Sequence, residues 1–273
     1  MTTAALGRIG LGIEADDTRA AQHAAEVFGL GYTGLWVMSG QLRTLRILAD
    51  LVRATRAAVV APAIIQLDRF SPEQITALFD EVEAEAPGRL LAGFGGLQAQ
   101  PVAATRERLE GFDGRIPASR RLLAALGPRK LDAAREVSAG AITMFTSPEF
   151  TAAARRRLGA DATLVVCQRI ALDDDRSRAR ETLRGPLRNL LGMPGSGYAA
   201  NMRRMGFGDA DISGLSDRLV DAVASGGDPG TVAADVRAHL EAGADHVVLA
   251  AQTDGRQPGT IELARALAAP LGL

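Results

Sequence analysis

Leu122-Leu123-Ala124-Ala125-Leu126-Gly127-Pro128-Arg129-Lys130 reads as a short apolar strand, a Gly-Pro turn and the start of a helix from Arg129 to Val137. Proline suits the first turn of a helix, where its missing N–H would be unpaired anyway. Glycine before it lets the backbone approach a ligand closely. Free N–H groups at a helix start, with the cations Arg129 and Lys130 beside them, make an anion site. The turn is a candidate grip for the phosphate of a cofactor or substrate. The same residues also fit a plain strand–helix connection with two solvated cations.

The strand–turn–helix unit recurs on both sides of this stretch. Short apolar runs at Arg8–Ile13, Leu35–Met38, Val59–Ile65, Arg89–Phe94, Arg121–Ala125, Ala141–Met144, Thr163–Leu172 and His246–Ala250 alternate with helical patterns. Ser71-Pro72-Glu73-Gln74 carries a cap, a proline and a Glu/Gln pair that open one of those helices. Eight strands, each followed by helix, are the count of a (β/α)8 TIM barrel. A doubly wound sheet is the alternative, but eight near-regular units favour closure. The strands are unbroken apolar runs, as parallel strands covered on both faces should be. No linker divides residues 1–273, so one barrel domain is expected. A helical or irregular insertion before the last strand, Gly192 to Gly214, is a candidate lid or partner surface.

Composition narrows the function. The chain of 273 residues carries 31 Lys+Arg against 32 Asp+Glu, so no net field draws nucleic acid or lipid. Aromatics at 4% argue against stacking platforms for single strands. Cys167 is the one cysteine and lies in an apolar run, which excludes a disulfide and a multi-cysteine metal site. Nothing at the first residues resembles a secretory signal, and no apolar stretch reaches a membrane span. A cytoplasmic protein with a small-molecule substrate is the expectation.

Barrel enzymes work at the C-terminal ends of their strands. His23 and His239 fall inside helices and His246 begins the last strand, so all three read as structural. No histidine spacing suits a metal. The rim residues after the strands are polar and glycine-rich: Ser39, Gly93, Gly95, Gly127 to Arg129, Thr143 and Gln252 stand among them. Glu14 is the one carboxylate placed for a raised pKa at a strand mouth, although an exposed loop acid or helix cap fits it too. Asp16 and Asp17 read as caps of the first helix. Such a rim suits a cofactor that carries the hard chemistry. Pro62-Ala63 inside a central strand points to a bulge, a ligand or an early strand end.

Six segments in chain order resemble the luciferase-like flavin- and F420-dependent oxidoreductases. They are Gly29-Leu30-Gly31-Tyr32-Thr33-Gly34-Leu35-Trp36-Val37, Asp68-Arg69-Phe70-Ser71-Pro72, Arg89-Leu90-Leu91-Ala92-Gly93-Phe94-Gly95, Ala124 to Leu131, Ala139-Gly140-Ala141, and Ala242-Gly243-Ala244-Asp245-His246-Val247. The resemblance is nearer the actinobacterial F420-dependent subgroup. It implies a (β/α)8 barrel, often a homodimer, holding F420 or, alternatively, FMN at the strand mouths. It implies a cis peptide at Pro62–Ala63 or Ala63–Ile64 against the cofactor ring. It also implies a phosphate near Gly127 and Pro128, and cofactor contacts from Ser39, Pro62, Ala63, Gly93, Gly95, Arg129 and Thr143.

The chain departs from that pattern at two places. Ser39 and Gly40 stand where F420-dependent members often carry Asp-His, and Gly96-Leu97-Gln98 replaces a Thr/Ser-Gly-Glu loop. No imidazole acid carries over, and the catalytic residues are unassigned; Glu14, Ser39 or water could supply a proton. Three functions are consistent with the sequence. One is hydride transfer between F420 and a small organic molecule. Another is an FMN-dependent monooxygenase fed by a reductase. The third is a barrel that binds cofactor without turnover.

Overall fold

Hydrogen bonding around a ring of parallel strands positions everything else in the computed structural model, which describes residues 6–38, 42–97, 100–193 and 196–273. In chain order the elements are β1 (Ile9–Glu14), α1 (Ala20–Gly29), β2 (Gly34–Met38), α2 (Arg46–Ala54), β3 (Val59–Ala63), β4 (Ile65–Gln66) and α3 (Pro72–Glu85). Then come β5 (Ala92–Gly95), α4 (Val102–Glu110), β6 (Arg121–Ala124), α5 (Pro128–Val137), β7 (Gly140–Met144), α6 (Pro148–Leu158) and β8 (Thr163–Leu172). The chain ends with α7 (Arg176–Leu191), α8 (Gly197–Arg204), α9 (Asp209–Gly214), α10 (Asp217–Val223), β9 (Ser225–Gly227), α11 (Pro229–Glu241), β10 (His246–Ala251) and α12 (Thr260–Leu271).

The sheet runs β3-β2-β1-β10-β8-β7-β6-β5-β4. A parallel bridge between Val60 and Leu90 joins its two ends. There Val60 donates to the Arg89 carbonyl at 2.8 Å and Leu91 to the Val60 carbonyl at 2.9 Å. The (β/α)8 reading holds, with two differences. The third strand is split in two, because it pairs with β2 as far as Ala63 and with β5 from Ile65 onward. The long β8 outruns the ring, and its last residues, Ile170 to Leu172, pair with β9. β9 is Ser-Gly-Gly, which carries no apolar periodicity for a sequence reading to find.

Alternation divides the strand residues between two cores. Trp36, Ala61, Leu122, Ile142, Val165 and Val248 fill the barrel interior. Leu11, Leu35, Val60, Leu123, Val166 and Leu249 face the helices. At the closed end, Trp36 Nε1 donates to His246 Nε2 at 2.9 Å. His246 Nδ1 lies 2.8 Å from the Gly7 carbonyl, so the neutral ring carries its proton on Nδ1, donating there to Gly7 and accepting at Nε2 from Trp36. Room for it comes from Gly10, where a Cβ would sit 2.4 Å from His246 Nε2. His239 is likewise buried, with Nδ1 2.9 Å from Thr151 Oγ1. His23 pairs with Asp17. The three histidines are thus structural. Asp17 accepts from the Arg19 N–H, whereas the α1 cap itself has no side-chain bond.

The insertion before the last strand, expected to be helical or irregular, is helical. α8, α9 and α10 bury Met202, Phe207, Ile212, Leu215 and Leu219 with Phe145 and residues of α7 in a second apolar core. The apolar positions there recur over helices too short to show a clear period. This core sits at the C-terminal ends of β7 and β8, so the insertion covers one side of the barrel mouth. Among the described residues, no helix is long and apolar enough to cross a membrane.

Candidate active site at the barrel mouth

The inward side chains at the open end form a shallow apolar floor. Met38 and Ala250 lie within it, and the half-buried Ala63, Ile64 and Met144 border it. The Ala63–Ile64 peptide bond is cis, at one of the two positions the family resemblance implied. Gly93 and Gly95 keep the neighbouring backbone low. A Cβ at Gly93 would lie 2.1 Å from the Pro62 carbonyl oxygen, and one at Gly95 would lie 1.8 Å from Ile64 Cδ1. These glycines are therefore required first by the packing of the split third strand.

Polar groups stand above the floor on the β1, β10 and β8 side. Arg169, on β8, follows Cys167 on the inward face, and its Nη1 donates to Glu14 Oε1 at 3.1 Å. A longer contact of 3.5 Å reaches Gln252 Oε1. Burial holds the Glu14 carboxyl above the usual carboxylate range; Arg169 pulls the other way and Asp16 adds to the rise. Burial also pushes the Cys167 thiol up to about 12, which makes it an inert core thiol.

One helix of the insertion reaches both ends of the site. Tyr198, in the first turn of α8, is near enough to Cys167 and Arg169 to feel their charges, and burial pushes its phenol up to about 12. Its ring meets Phe145 edge-on at 6.3 Å. Phe145 has φ +53°, an uncommon backbone for a bulky residue, and this turns its side chain toward the insertion. At the other end of α8, Arg204 Nη2 would be 3.8 Å from a Cβ built on Gly127. Arg204 Nη2 also donates to Oδ1 of the fully buried Asn201 at 3.2 Å.

Gly127 caps α5 and Pro128 occupies its first turn, as expected from the sequence. Pro128 has no N–H, and the Lys130 and Leu131 N–H groups bond the Gly127 carbonyl at 3.0 Å each. Among the described residues the Arg129 N–H has no partner, and it points from the helix start. The Arg129 side chain is exposed, whereas Lys130 is half-buried and donates from Nζ to the Gly96 carbonyl at 3.3 Å. Burial lowers the Lys130 pKa, with Asp68 opposing.

Two expected contacts stand apart from this arrangement. Thr143 is on the face of β7 turned to the helices; it is 1% exposed and donates to the Val165 carbonyl at 3.3 Å. Strand alternation puts Ile142 and Met144 inward and Thr143 outward, so its hydroxyl does not face the mouth. Ser39 lies outside the described residues, as does Gly40. Arg169, Tyr198 and Arg204 were not singled out for chemistry from the sequence. Arg169 was hidden inside an apolar strand, although its two-residue spacing from Cys167 put it on the inward face. Among the described residues no group of acids, cysteines and histidines could hold a metal ion.

No protein-family model and no curated protein sequence matches the chain. Solved structures do. The F420-dependent tetrahydromethanopterin reductase of Methanopyrus kandleri superposes with a TM-score of 0.76 at 16% identity, covering 97% of this chain and 98% of that one. The chain shares the barrel fold of that protein. A second structure, an F420-dependent secondary alcohol dehydrogenase in complex with an F420–acetone adduct, matches at TM-score 0.72 and 13% identity, over 97% of this chain and 98% of that one. A third is the oxygenating constituent of 3,6-diketocamphane monooxygenase from Pseudomonas putida, in complex with FMN. It matches at TM-score 0.64 and 14% identity, over 97% and 98%. Within this barrel fold, the open strand ends gather the polar residues just described, as in barrel enzymes generally.

Proposed function

We propose that the protein is an F420-dependent oxidoreductase of the luciferase-like class, nearest the actinobacterial subgroup, that acts on a small organic substrate. The observation that carries this reading is the placement of α8. Its Tyr198 end lies beside Arg169 and its Arg204 end beside Gly127. The six-residue step from Tyr198 to Arg204 spans about 9 Å of helix. A ligand with a flat ring at one end and a phosphate at the other fits that span. Bound there, the deazaflavin supplies a hydride at its C5 position.

The residues divide the remaining work. The Arg129 N–H, Lys130 and Arg204 hold the phosphate at the α5 start, where the helix dipole and the cations act together. Gly127 and Pro128 shape that turn, and Pro62, Ala63 and the backbone at Gly93 and Gly95 support the ring. Glu14 is the proton donor at the mouth, because burial raises its affinity for a proton above that of a free carboxylate. Arg169 orients Glu14 through their hydrogen bond. Tyr198 covers the mouth and excludes water.

Separate titrations of the full chain with F420 and with FMN, followed by fluorescence, test the reading. Saturable micromolar binding of F420 without FMN binding is expected. Binding of FMN alone would replace the proposal with an FMN-dependent monooxygenase.

A further inference from the structure

Arg169 is a cation inside the barrel mouth whose hydrogen bonding is half complete. Its side chain is only 15% exposed. Both of its contacts, Glu14 at 3.1 Å and Gln252 at 3.5 Å, use Nη1. Nε is out of contact with solvent and has no partner among the described residues. Among the described residues Nη2 has none either. Nη2 is left as the free donor, so the guanidinium fork can hold Glu14 on Nη1 and a second carboxylate on Nη2. A buried guanidinium with an idle donor carries a desolvation penalty that a second anion would remove.

Among the described residues, the groups around the pair supply no such anion. Cys167 precedes Arg169 on the inward face of β8, and Tyr198 faces it from α8; both stay protonated at neutral pH. Gln252, after β10, is neutral. Glu14, on β1, has Asp16 near it, but its side chain is 45% exposed and engages only the Nη1 edge. The charge that completes Arg169 must come with a ligand.

We propose that Arg169 is a specificity-determining residue that binds the carboxylate of the substrate, so that the substrates are small organic acids with an apolar body. This inference rests on the oxidoreductase reading above and names its substrate class. The carboxylate engages Nη2 beneath Tyr198, and the apolar body lies on the floor of Ala63, Ile64 and Met144. An anion there also weakens the hold of Arg169 on the Glu14 carboxylate, so substrate binding favours the protonated Glu14.

Cinnamate and its uncharged methyl ester are suitable probes. Their binding to the full chain is measured by calorimetry, with and without saturating oxidised F420. Cinnamate should bind saturably in at least one of the two states, and at least tenfold more tightly than the ester. Arg169→Gln should weaken cinnamate at least tenfold while F420 binding changes less than twofold, which also reports that the variant is folded. Arg169→Lys, which keeps the charge without the fork, should fall between wild type and Arg169→Gln. Glu14→Gln, which removes the competing anion, should strengthen cinnamate binding. Equal affinity for acid and ester, equal cinnamate affinity in Arg169→Gln, or no cinnamate binding in either state would overturn the proposal. Failure of F420 to bind the wild type would instead remove the cofactor reading, and cinnamate binding that depends on Arg169 would still establish the anion anchor.

Discussion

Arg169 Nη1 and Glu14 Oε1 meet at 3.1 Å across the barrel mouth, although 155 positions separate the two residues in the chain. β10 stands between their strands in the ring. The contact holds a half-buried acid in place while burial keeps its proton affinity high. A proton donor needs both conditions.

The pH profile should report this acid. The Glu14 pKa is raised, so its protonated fraction falls as pH rises through that value. Turnover with reduced F420 and a carboxylate acceptor should fall on the alkaline side. Glu14→Gln should lower the rate by roughly 100-fold, the scale of a lost general acid, and flatten that limb. An unchanged rate in Glu14→Gln would exclude it as the donor.

Cofactor binding should depend on the cations unequally. Lys130→Met and Arg204→Met should each weaken F420 by about 1–3 kcal/mol, the scale of a charge-assisted hydrogen bond. Arg129→Met should cost less than either, because the Arg129 side chain is exposed and its contribution is the backbone N–H. Fluorescence titration of the three variants gives the order; if Arg129→Met proves the most damaging, the assignment within this group is wrong.

Acid should unfold the barrel through its buried histidines. Burial pushes both His239 and His246 down to about 4, below the ordinary value of 6.5. A folded-state pKa below the unfolded one means stability that is full above pH 6.5 and is lost as pH falls toward 4. Each histidine should account for about 3 kcal/mol of that loss. Urea melts between pH 7 and pH 4 should become shallower in pH dependence in His239→Gln. An identical slope in wild type and variant would refute the assignment.

Gly93→Ala should destabilise the protein by about 3 kcal/mol, at the upper end of overpacking effects, because its Cβ would lie 2.1 Å from the Pro62 carbonyl oxygen. Backbone is the obstacle, so no rotamer change relieves the contact. Urea denaturation measures the loss directly, and a loss under about 0.5 kcal/mol would mean that the split strand moves aside freely.

Motif residues in the chain turn out to have different physical roles. The Ser71 cap appears as read: the Ser71 hydroxyl accepts from Gln74 and the Gln74 side chain answers it. Arg89, which opens the fourth-strand motif, donates to the Val52, Thr55 and Ala58 carbonyls at 2.8–3.0 Å and so ties off the end of α2. Asp245, in the closing motif, accepts from the Leu164 N–H at 2.7 Å and pairs with Arg155. Gly243 beside it adopts φ +104° with Arg155 packed where a Cβ would be. These residues carry the resemblance to the luciferase-like barrels by stabilising the ring, and they do not reach the mouth.

Strands, helices, caps and the Gly127-Pro128 turn were legible because their signals are local: apolar period, a proline at a first turn, a glycine where the chain must bend. The eight-unit count made closure the natural reading of those signals. What the sequence alone determined is therefore the barrel and the strand–turn–helix form of the Gly127-Pro128 turn. The tertiary structure alone decided which polar groups meet at the mouth. It turned Thr143 away, folded the insertion into helices that span from Arg169 to Gly127, and set Glu14 against Arg169. Side-chain direction follows strand alternation, and alternation becomes an address only when the ring has closed and the register between distant strands is set.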